Sequence, residues 1–466
     1  MKLLGVIWNS VEDNWTDVMT DLAQYGKIEK LYSIDFGADF ENFIKELYHF
    51  SVDEQWKSEY KIIGLINQYK NNIVHVVLMD IPRTKKVFLA QKGKYMYENV
   101  LDMKVRIRNK YKNLLKDEIF GRRKGLKFDN VFHMTDDEEE YNENVFSTIP
   151  FLIKYSDEKA PFTLDCFVDN EDIVLEKNGT RKAYWLTPSI MFKEQTNGTY
   201  ESYSELFNMH LMKKLGLNNS CYYGLAQYGG KQGVVTKHIA NADEEMFLGS
   251  DIFNKYGIYE KKDLIYYNSL DMLPIVVKRF CYDNGYVYNE NIEKEFEKLF
   301  MYDLLTMQSD RNPSNWAIVC NQQTRQIRLS YFDHSNMLFF DDVQAVELFK
   351  KGELDIPNYV NNDITTYFIF NSSNIEMCHS SKLFHIQNFI ENVNDVQLDA
   401  FVTMLDAITV DLINKVNSEI EEENNCILPN EFKNALIQGF EFHKWQINNM
   451  IEQMNCGRGK SLCKKK

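Results

Sequence analysis

The chain has 466 residues, of which 44% are hydrophobic and 14% aromatic, and its formal net charge is -15. This length exceeds what a single hydrophobic core accommodates, so the sequence predicts a globular protein of two or three domains. No apolar run reaches the length of a bilayer span, and polar Asn9 and acidic Glu12 interrupt the apolar stretch at the amino terminus. We therefore expect no membrane segment and a cytoplasmic location.

Apolar runs alternate with helical patterns in residues 1–150, and this alternation predicts a small α/β domain with a largely parallel sheet. A further candidate strand follows, and the spacing of Thr135 and Glu138 predicts a capped helix after it. If the strands are parallel, their carboxyl ends bring together a polar cluster of Asn9, Ser10, Asp80, His133 and Asp136. The alternative is that these residues occupy ordinary turn, cap and core positions.

Residues 83–127 form a basic segment, in which 15 Lys and Arg stand against 4 Asp and Glu. One interpretation is a solvated basic helix face. The other is a patch that binds phosphate, RNA or an acidic partner, although the net negative charge of the chain disfavours nucleic acid.

From residue 160 the pattern changes to short strands punctuated by Asn-Gly dipeptides, which accept the backbone of tight hairpins. Residues 160–242 therefore predict an antiparallel lobe that contains one helix. Residues 243–455 are mostly helical in pattern, and residues 456–466 predict a disordered basic tail.

A candidate catalytic loop contains Asp310 and Asn315, which are five residues apart between a helical pattern and a strand. This is the D-x-x-x-x-N spacing of kinase catalytic loops, where the Asp takes the proton of the acceptor and the Asn binds a metal ion. A second strand then ends at Asp333, the position of the principal magnesium ligand of a kinase. The alternative is a surface ion pair of Asp310 with Arg311 and a turn residue at Asp333.

Phosphoryl transfer also needs a cation for the nucleotide phosphates. Lys193 is the candidate, because it lies in a predicted strand between apolar neighbours, and Glu205 in the following helix is its candidate partner. The alternative is that Lys193 is an exposed strand lysine and Glu205 a residue of the helix start.

The segment from about 170 to 345 resembles the HipA-like and CtkA-like family of bacterial serine/threonine kinases, which are distant kin of the phosphatidylinositol 3- and 4-kinases. The resemblance lies in the stretches "NGTRKAYWL", "MFKEQ", "ESYSELFNMHLMKKLGL", "QSDRNPSNWAIV" and "LSYFDHSNML". The sequence departs from the family pattern with Asn312-Pro313 after the Asp-Arg pair and with His334-Ser335 after the metal-binding Asp. Neither departure removes an oxygen ligand.

The resemblance implies an α+β kinase-like fold of two lobes, an antiparallel small lobe and a helical large lobe, preceded by the small α/β domain. It makes Asp310 the catalytic base, Asn315 and Asp333 the magnesium ligands, and Lys193 the contact to the nucleotide phosphates. It places Gly179, Thr180 and Lys182 in the turn over the phosphates. The hinge that reads adenine would include Lys237, His238 and Ile239.

We therefore expect an ATP- and magnesium-dependent kinase that phosphorylates a protein serine or threonine, itself included. The alternatives are a small-molecule or lipid kinase of the same fold, or an ATP-binding regulatory protein without catalysis. We expect the basic segment to recruit the protein substrate through a helix that is positive on two sides and carries Lys104, Arg106, Arg108, Lys110 and Lys112. The alternative is that this face docks on the acidic remainder of the chain. An antitoxin is a further candidate partner implied by the resemblance.

Overall fold

The computed structural model describes residues 1–8, 14–48, 62–66, 73–89, 94–111, 132–168, 173–176, 181–241, 243–308, 310–356, 359, 368–370, 372 and 382–457. The structure is mixed α+β, with antiparallel sheets and many helices, as predicted. It forms two compact units. The first unit contains Met1–Glu194, Gly224–Lys237 and Glu422–Cys426, and the second contains Gln195–Tyr223, His238–Glu421 and Ile427–Lys466. Residues on both sides of the boundary predicted at 150–160 lie in the first unit.

The first unit begins with a four-stranded sheet in the order β2-β3-β1-β6. Its strands are β1 Lys2–Ile7, β2 Lys27–Ile34, β3 Val74–Asp80 and β6 Phe132–Met134. All neighbouring strands are antiparallel, so the prediction of a largely parallel sheet is wrong. The reason is that β3 is a central strand with every residue but its last buried. A strand covered on both faces is a continuous apolar run in either sheet type, so the pattern does not reveal strand direction.

The polar cluster was predicted on the condition that the strands are parallel, and the antiparallel order does not meet this condition. Asp80, at the end of β3, lies opposite Lys2, at the start of β1. Asp136 follows β6 and lies toward the same edge, because Met134 pairs with Gly5. Both carboxylates are therefore at the edge where β1 begins. The other predicted members are His133, which lies inside β6, and Asn9 and Ser10, which lie outside the described residues.

Helices and a hairpin accompany this sheet in the described ranges: α1 Trp15–Leu22, α2 Phe40–Leu47, α3 Glu98–Tyr111 and α4 Glu138–Tyr155, with β4 Lys86–Leu89 paired to β5 Lys94–Tyr97. The helix predicted after residue 135 is confirmed as α4, but its predicted cap is wrong. The Asp137 carboxylate accepts the hydrogen bond from the Glu140 N–H, at 2.9 Å. The Thr135 hydroxyl instead accepts the N–H of Leu4, at 3.1 Å, and so ties the helix entry to the sheet.

Helix α3, from the basic segment, packs on the core of this sheet. It contributes an apolar face of Val100, Met103, Ile107 and Tyr111 to a cluster that also contains residues of β1, β3 and β6. Such a face buries well although the helix is rich in cations, because these residues recur at three and four positions. The helix that was expected to be positive on two sides therefore also has a buried apolar face.

The described cations of α3 are held by the same chain. Lys104 is buried and forms an ion pair with buried Asp136. Farther out, Arg106 pairs with Asp102 at 2.9 Å, Lys110 pairs with Asp21 at 2.6 Å, and Arg108 donates to the Phe132 carbonyl at 3.3 Å. These contacts favour docking on the acidic remainder of the chain over substrate recruitment. Lys112 lies outside the described residues.

The first unit also contains a six-stranded sheet in the order β7-β11-β12-β10-β9-β8. Its strands are β7 Phe162–Thr163, β8 Val174–Glu176, β9 Ala183–Thr187, β10 Ile190–Glu194, β11 Tyr223–Tyr228 and β12 Lys231–Lys237. Strand β10 is antiparallel to both of its neighbours, β9 and β12. Gly229 and Gly230 connect β11 to β12 with φ of +56° and +71°, the left-handed backbone that a two-residue hairpin turn needs.

A short segment from late in the chain, residues 422–426, completes the first unit. The Asn424 side-chain oxygen accepts the N–H of Leu225, at 2.7 Å. The Asn425 amide donates to the carbonyls of Ser156 and Glu158, at 3.2 Å each. Backbone groups of the six-stranded sheet and of the end of α4 are thus satisfied by residues more than 190 positions away in sequence.

The second unit combines many helices with a three-stranded sheet in the order β13-β14-β15. The strands are β13 Glu244–Leu248, β14 Trp316–Asn321 and β15 Ile327–Tyr331. The helices are α5 Glu201–Lys214, α6 Gly249–Lys255, α7 Lys261–Tyr267, α8 Leu273–Asn284, α9 Asn291–Thr306, α10 Val343–Lys350, α11 Lys382–Asn392, α12 Asp395–Ala407, α13 Val410–Glu423 and α14 Asn430–Gly457. Helix α14 extends to Gly457 and so includes the first two residues of the predicted tail, and residues 458–466 lie outside the described part. Across the described ranges, no helix combines the length and apolarity that a membrane crossing requires.

The buried Lys104–Asp136 pair predicts a large asymmetry between two substitutions. Asp136→Asn should lower the free energy of unfolding by about 3 to 5 kcal/mol, because it leaves the buried ammonium without its anion. Lys110→Met removes a pair whose lysine side chain is 57% exposed and should cost less than about 1 kcal/mol. Urea unfolding of both variants measures the difference. Equal costs would contradict a structural role for the buried pair.

A pH dependence of stability follows from His385 on α11, whose pKa is lowered by burial to about 4. The unfolded chain binds a proton at this group below about pH 6.5 and the folded chain does not, so stability is present above that pH and is lost as the pH falls. Between pH 7 and pH 5 the loss is about 2 kcal/mol. Thermal unfolding should show this decrease in the wild type and a smaller one in His385→Phe. A decrease of the same size in both would contradict the assignment to His385.

Candidate active site

The candidate catalytic loop lies between α9 and the β14–β15 hairpin of the second unit. Helix α9 ends at Thr306, and the next residue, Met307, has a φ of +60° that turns the chain out of the helix. A 3-10 turn at Pro313–Asn315 then leads into β14, and β15 ends two residues before Asp333. Trp316 lies opposite Tyr331, and the Phe332 N–H donates to the Asn315 carbonyl at 3.2 Å. The hairpin register therefore brings Asn315 beside the turn that contains Asp333.

Within the loop, side-chain amides hold the Asp310 carboxylate from two sides. The Asn312 amide donates to Asp310 Oδ1 at 2.8 Å. The Asn315 amide donates to the Asp310 carbonyl at 2.5 Å and is 3.5 Å from Oδ2. Asn312 also accepts the Ser314 N–H, which caps the 3-10 turn. Asp310 and Asn315 thus form one hydrogen-bonded loop, with the proline of the turn fixing its backbone.

Asp333 occupies a left-handed backbone conformation, with φ of +59°, that is costly for a residue other than glycine. Two side chains hold this conformation. The Asp333 N–H donates to the Tyr223 hydroxyl at 2.9 Å, and the Gln308 amide donates to the Asp333 carbonyl at 2.9 Å. The Ser335 hydroxyl lies 3.4 Å from Oδ1 of the Asp333 carboxylate. Both backbone polar groups of Asp333 are therefore fixed by other parts of the second unit.

Arg311 lies beneath the loop with 1% of its surface exposed. Its Nε and Nη2 donate to the two carboxylate oxygens of Asp303 on α9, at 2.9 and 3.1 Å. Its Nη1 donates to the carbonyls of Asn315 and Phe332, at 3.0 and 2.7 Å. The alternative of a surface ion pair between Asp310 and Arg311 is therefore wrong, because the arginine is buried and its partner is Asp303.

The carboxylates of Asp310 and Asp333 are electrostatic neighbours. Burial raises the pKa of Asp310 above its ordinary value. The Asn312 hydrogen bond opposes this rise, whereas the negative charge of Asp333 adds to it. A cation between the two carboxylates would relieve this repulsion.

The residues present fit a magnesium ion that arrives with a nucleotide. Because the Asn315 NH₂ points to Asp310, its Oδ1 is the atom that remains for a ligand, and it accepts no hydrogen bond from the described residues. Mg²⁺ is usually held by one or two carboxylates together with substrate phosphates. No group of three or more His, Cys, Asp or Glu suited to a metal occurs in the described ranges. A carboxylate and an amide oxygen are donors that Mg²⁺ accepts, so Asn315 and Asp333 fit this metal ion.

The predicted nucleotide-binding residues of the first unit lie on or beside the six-stranded sheet. Lys193 is half-buried in the middle of the sheet, opposite Val234 of β12 and Ala183 of β9. Lys182 is exposed, and its carbonyl accepts the Glu194 N–H at 2.8 Å. The Lys237 ammonium lies 4.9 Å from the centre of the Phe146 ring. Gly179 and Thr180 lie outside the described residues.

The other predicted nucleotide-binding residues belong to the second unit. Glu205 is fully buried inside α5, and its charge contributes to raising the pKa of buried Tyr223, after burial itself. His238 Nδ1 lies 3.2 Å from the Ala240 carbonyl, and the Ile239 carbonyl accepts from Arg328 at 2.9 Å. The division between the units falls between Lys237 and His238. The pairing of Lys193 with Glu205 and the adenine hinge stay predictions.

Sequence reasoning missed the residues that hold the loop: Asp303, Gln308 and Tyr223. Asp303 carries a usable signal, because it is an acidic residue within the apolar run at the end of α9 and lies eight positions before Arg311. Gln308 and Tyr223 carry none, since their contacts depend on tertiary structure. Gln308 is notable because its Oε1 is buried without a hydrogen-bond partner within the described structure.

No protein-family model matches the chain, and no curated protein matches it. Several solved structures are similar to it, including the following two. The Helicobacter pylori proinflammatory kinase CtkA has 17% identity and a TM-score of 0.44, over 64% of this chain and 99% of that one. HipA in the Shewanella oneidensis MR-1 toxin–antitoxin complex with HipB and operator DNA has 10% identity and a TM-score of 0.32, over 67% of this chain and 70% of that one. The predicted resemblance to HipA and CtkA is confirmed at this level of similarity, which carries no conclusion about activity.

Gly249, at the start of α6, predicts a close-packing constraint on the catalytic loop. A Cβ at this position would lie 2.3 Å from the Trp316 ring and 2.6 Å from the Pro313 carbonyl oxygen. Gly249→Ala should therefore destabilise the second unit by about 1 to 3 kcal/mol through overpacking. Ser250→Ala, in the same helix, is the matched control and should be close to neutral. Thermal unfolding followed by tryptophan fluorescence measures both, and a neutral Gly249→Ala would contradict the contact.

Proposed function

We propose that this chain is an ATP- and magnesium-dependent phosphotransferase whose acceptor is a serine or threonine hydroxyl of a protein. The observation that carries the proposal is the arrangement of Asp310, Asn315 and Asp333. A carboxylate held by two amides lies in the same loop as an amide whose oxygen remains for a metal. The second carboxylate is near enough to perturb the first.

In this proposal Asp310 positions and deprotonates the acceptor hydroxyl. The hydroxyl donates a hydrogen bond to the carboxylate, its proton passes to Asp310, and its oxygen bonds to the γ-phosphorus as the bond to the ADP leaving group breaks. The amides of Asn312 and Asn315 restrict the rotation of the carboxylate and so reduce the entropic cost of this alignment. The raised pKa makes Asp310 a stronger base than an exposed aspartate.

Asn315 and Asp333 would hold magnesium, which when bound neutralises phosphate charge. We further propose that Lys193 contacts the nucleotide phosphates, that Gly179, Thr180 and Lys182 form the turn over them, and that Glu205 pairs with Lys193. Lys237, His238 and Ile239 would line the adenine hinge. The choice of a protein acceptor rests on the motif resemblance, because acceptor loops have no shared signature. An antitoxin partner and substrate recruitment by the basic segment stay predictions.

The test is transfer of labelled γ-phosphate by the purified chain, alone and with cell lysate. Asp310→Ala should reduce the rate by about 10² to 10⁴, the usual contribution of a general base. Asp333→Asn should abolish transfer, because it removes the carboxylate charge from the metal. Asp263→Asn, at an exposed carboxylate of α7 in the same unit, is the matched control and should leave the rate unchanged.

Three outcomes separate the alternatives. Label on lipids or small molecules, with none on protein, would keep the phosphotransferase and replace its acceptor. Nucleotide binding without phosphate release or transfer over hours would favour a regulatory ATP-binding protein. Transfer that is undiminished in Asp310→Ala would show that this site is not the catalytic one.

A further inference from the structure

His334, the residue after Asp333, is 1% exposed and is held at three of its polar atoms. Its Nδ1 lies 2.9 Å from Arg311 Nη2, and its Nε2 lies 3.3 Å from the Ser220 hydroxyl. Its carbonyl accepts from the Ser204 hydroxyl at 2.9 Å and from the Asn208 amide at 3.1 Å. These partners come from α5, from the segment before β11, and from the catalytic loop.

The contact with Arg311 fixes the tautomer of the imidazole. A guanidinium has five N–H donors and no acceptor, so His334 Nδ1 must accept. The ring proton is then on Nε2 and is donated to the Ser220 hydroxyl oxygen. The ring is also edge-on to Tyr223 and Tyr331, with centroids 6.4 and 6.2 Å away. The side chain is thus held in one orientation by its two nitrogens and by its contacts with the two tyrosine rings.

His334 also completes the hydrogen bonding of Arg311. Two of the five N–H groups go to Asp303, one goes to the Asn315 carbonyl and one to the Phe332 carbonyl. The fifth goes to His334. One buried guanidinium therefore holds the residue before Asp333, the residue after it, and Asn315.

We propose that His334 is a positioning residue for the metal-binding pair: by accepting the fifth N–H of Arg311 it fixes the Asp333 carboxylate relative to the Asn315 amide. The catalytic consequence rests on the proposed function. If His334 has this role, the position of the Asp333 carboxylate relative to the Asn315 amide depends on a hydrogen-bond acceptor at the Nδ1 position. It does not depend on the aromatic ring of residue 334.

Three substitutions test this dependence. Asn places a side-chain oxygen near the Nδ1 position, Gln places its oxygen farther out toward Nε2, and Phe keeps the ring but removes both nitrogens. We expect His334→Asn to retain function and His334→Gln and His334→Phe to lose it. If His334→Phe does not fold, the comparison of Asn with Gln still decides, because both are small polar amides.

The primary readout is Mn²⁺ binding, measured by electron paramagnetic resonance with a non-hydrolysable ATP analogue and without turnover. Loss of a residue that orients a metal ligand typically costs 10- to 100-fold in metal affinity or activity. We expect a loss of this size for His334→Gln and His334→Phe, with wild-type affinity within about threefold for His334→Asn. In transfer assays at saturating metal, kcat should fall with little change in the KM for ATP, and thermal unfolding confirms that each variant is folded.

The outcomes separate this inference from the proposed function. A wild type that neither binds Mn²⁺ with the nucleotide nor transfers phosphate overturns both. A wild type that does so, with His334→Phe folded and unchanged, overturns the positioning role alone. The positioning role is also overturned if His334→Asn is as impaired as His334→Gln, because the acceptor at Nδ1 would then not be the feature that matters.

Discussion

The second unit is organised around one buried charge, the guanidinium of Arg311. A buried cation is tolerated only when its donors are all paired and an anion offsets its charge. Here Asp303 supplies the anion, and the carbonyls of Asn315 and Phe332 and the imidazole of His334 accept the remaining donors. This requirement fixes helix α9, the catalytic loop and the turn after β15 relative to one another. The desolvation cost of the Arg311–Asp303 ion pair offsets much of its electrostatic attraction. The main effect of the pair is therefore to fix the positions of these segments.

The same region concentrates strain and electrostatic repulsion. Asp333 has a left-handed backbone, Asp310 is buried near a second negative charge, and the Gln308 side-chain oxygen is buried without a partner in the described structure. Each of these costs free energy that packing elsewhere must offset. Costs of this kind are typical of ligand-binding sites. A bound cation would neutralise the repulsion between the carboxylates, and a bound ligand would supply hydrogen-bond donors to unpaired acceptors. This physical consideration supports a ligand site at Asp310 and Asp333 independently of any sequence motif.

Local features of the site were readable from the sequence, and tertiary ones were not. The order of helix, loop, hairpin and Asp333 is confirmed, because spacing and periodicity report on local structure. The direction of the strands was misread because β3 is apolar on both faces, a consequence of its central place in the sheet. Lys104 was expected on a positive face of a helix, and Arg311 was placed at the surface only in the alternative interpretation. The sequence around these two residues does not reveal that each has a buried acidic partner. The roles of Lys193, Glu205 and the hinge residues depend on how the two units meet and were not tested.

The segment at residues 422–426 has a consequence for biosynthesis. A ribosome makes a chain from its amino terminus, and domains generally fold as soon as their residues have emerged. The first unit is an exception. The backbone groups of Leu225, Ser156 and Glu158 can form these hydrogen bonds only after Asn424 and Asn425 have been synthesised. By then the whole candidate active site, from Asp303 to His334, has already been translated. The last contacts of the first unit therefore form after the candidate catalytic loop has been synthesised. A chain in which the first unit is complete thus always contains the candidate catalytic loop.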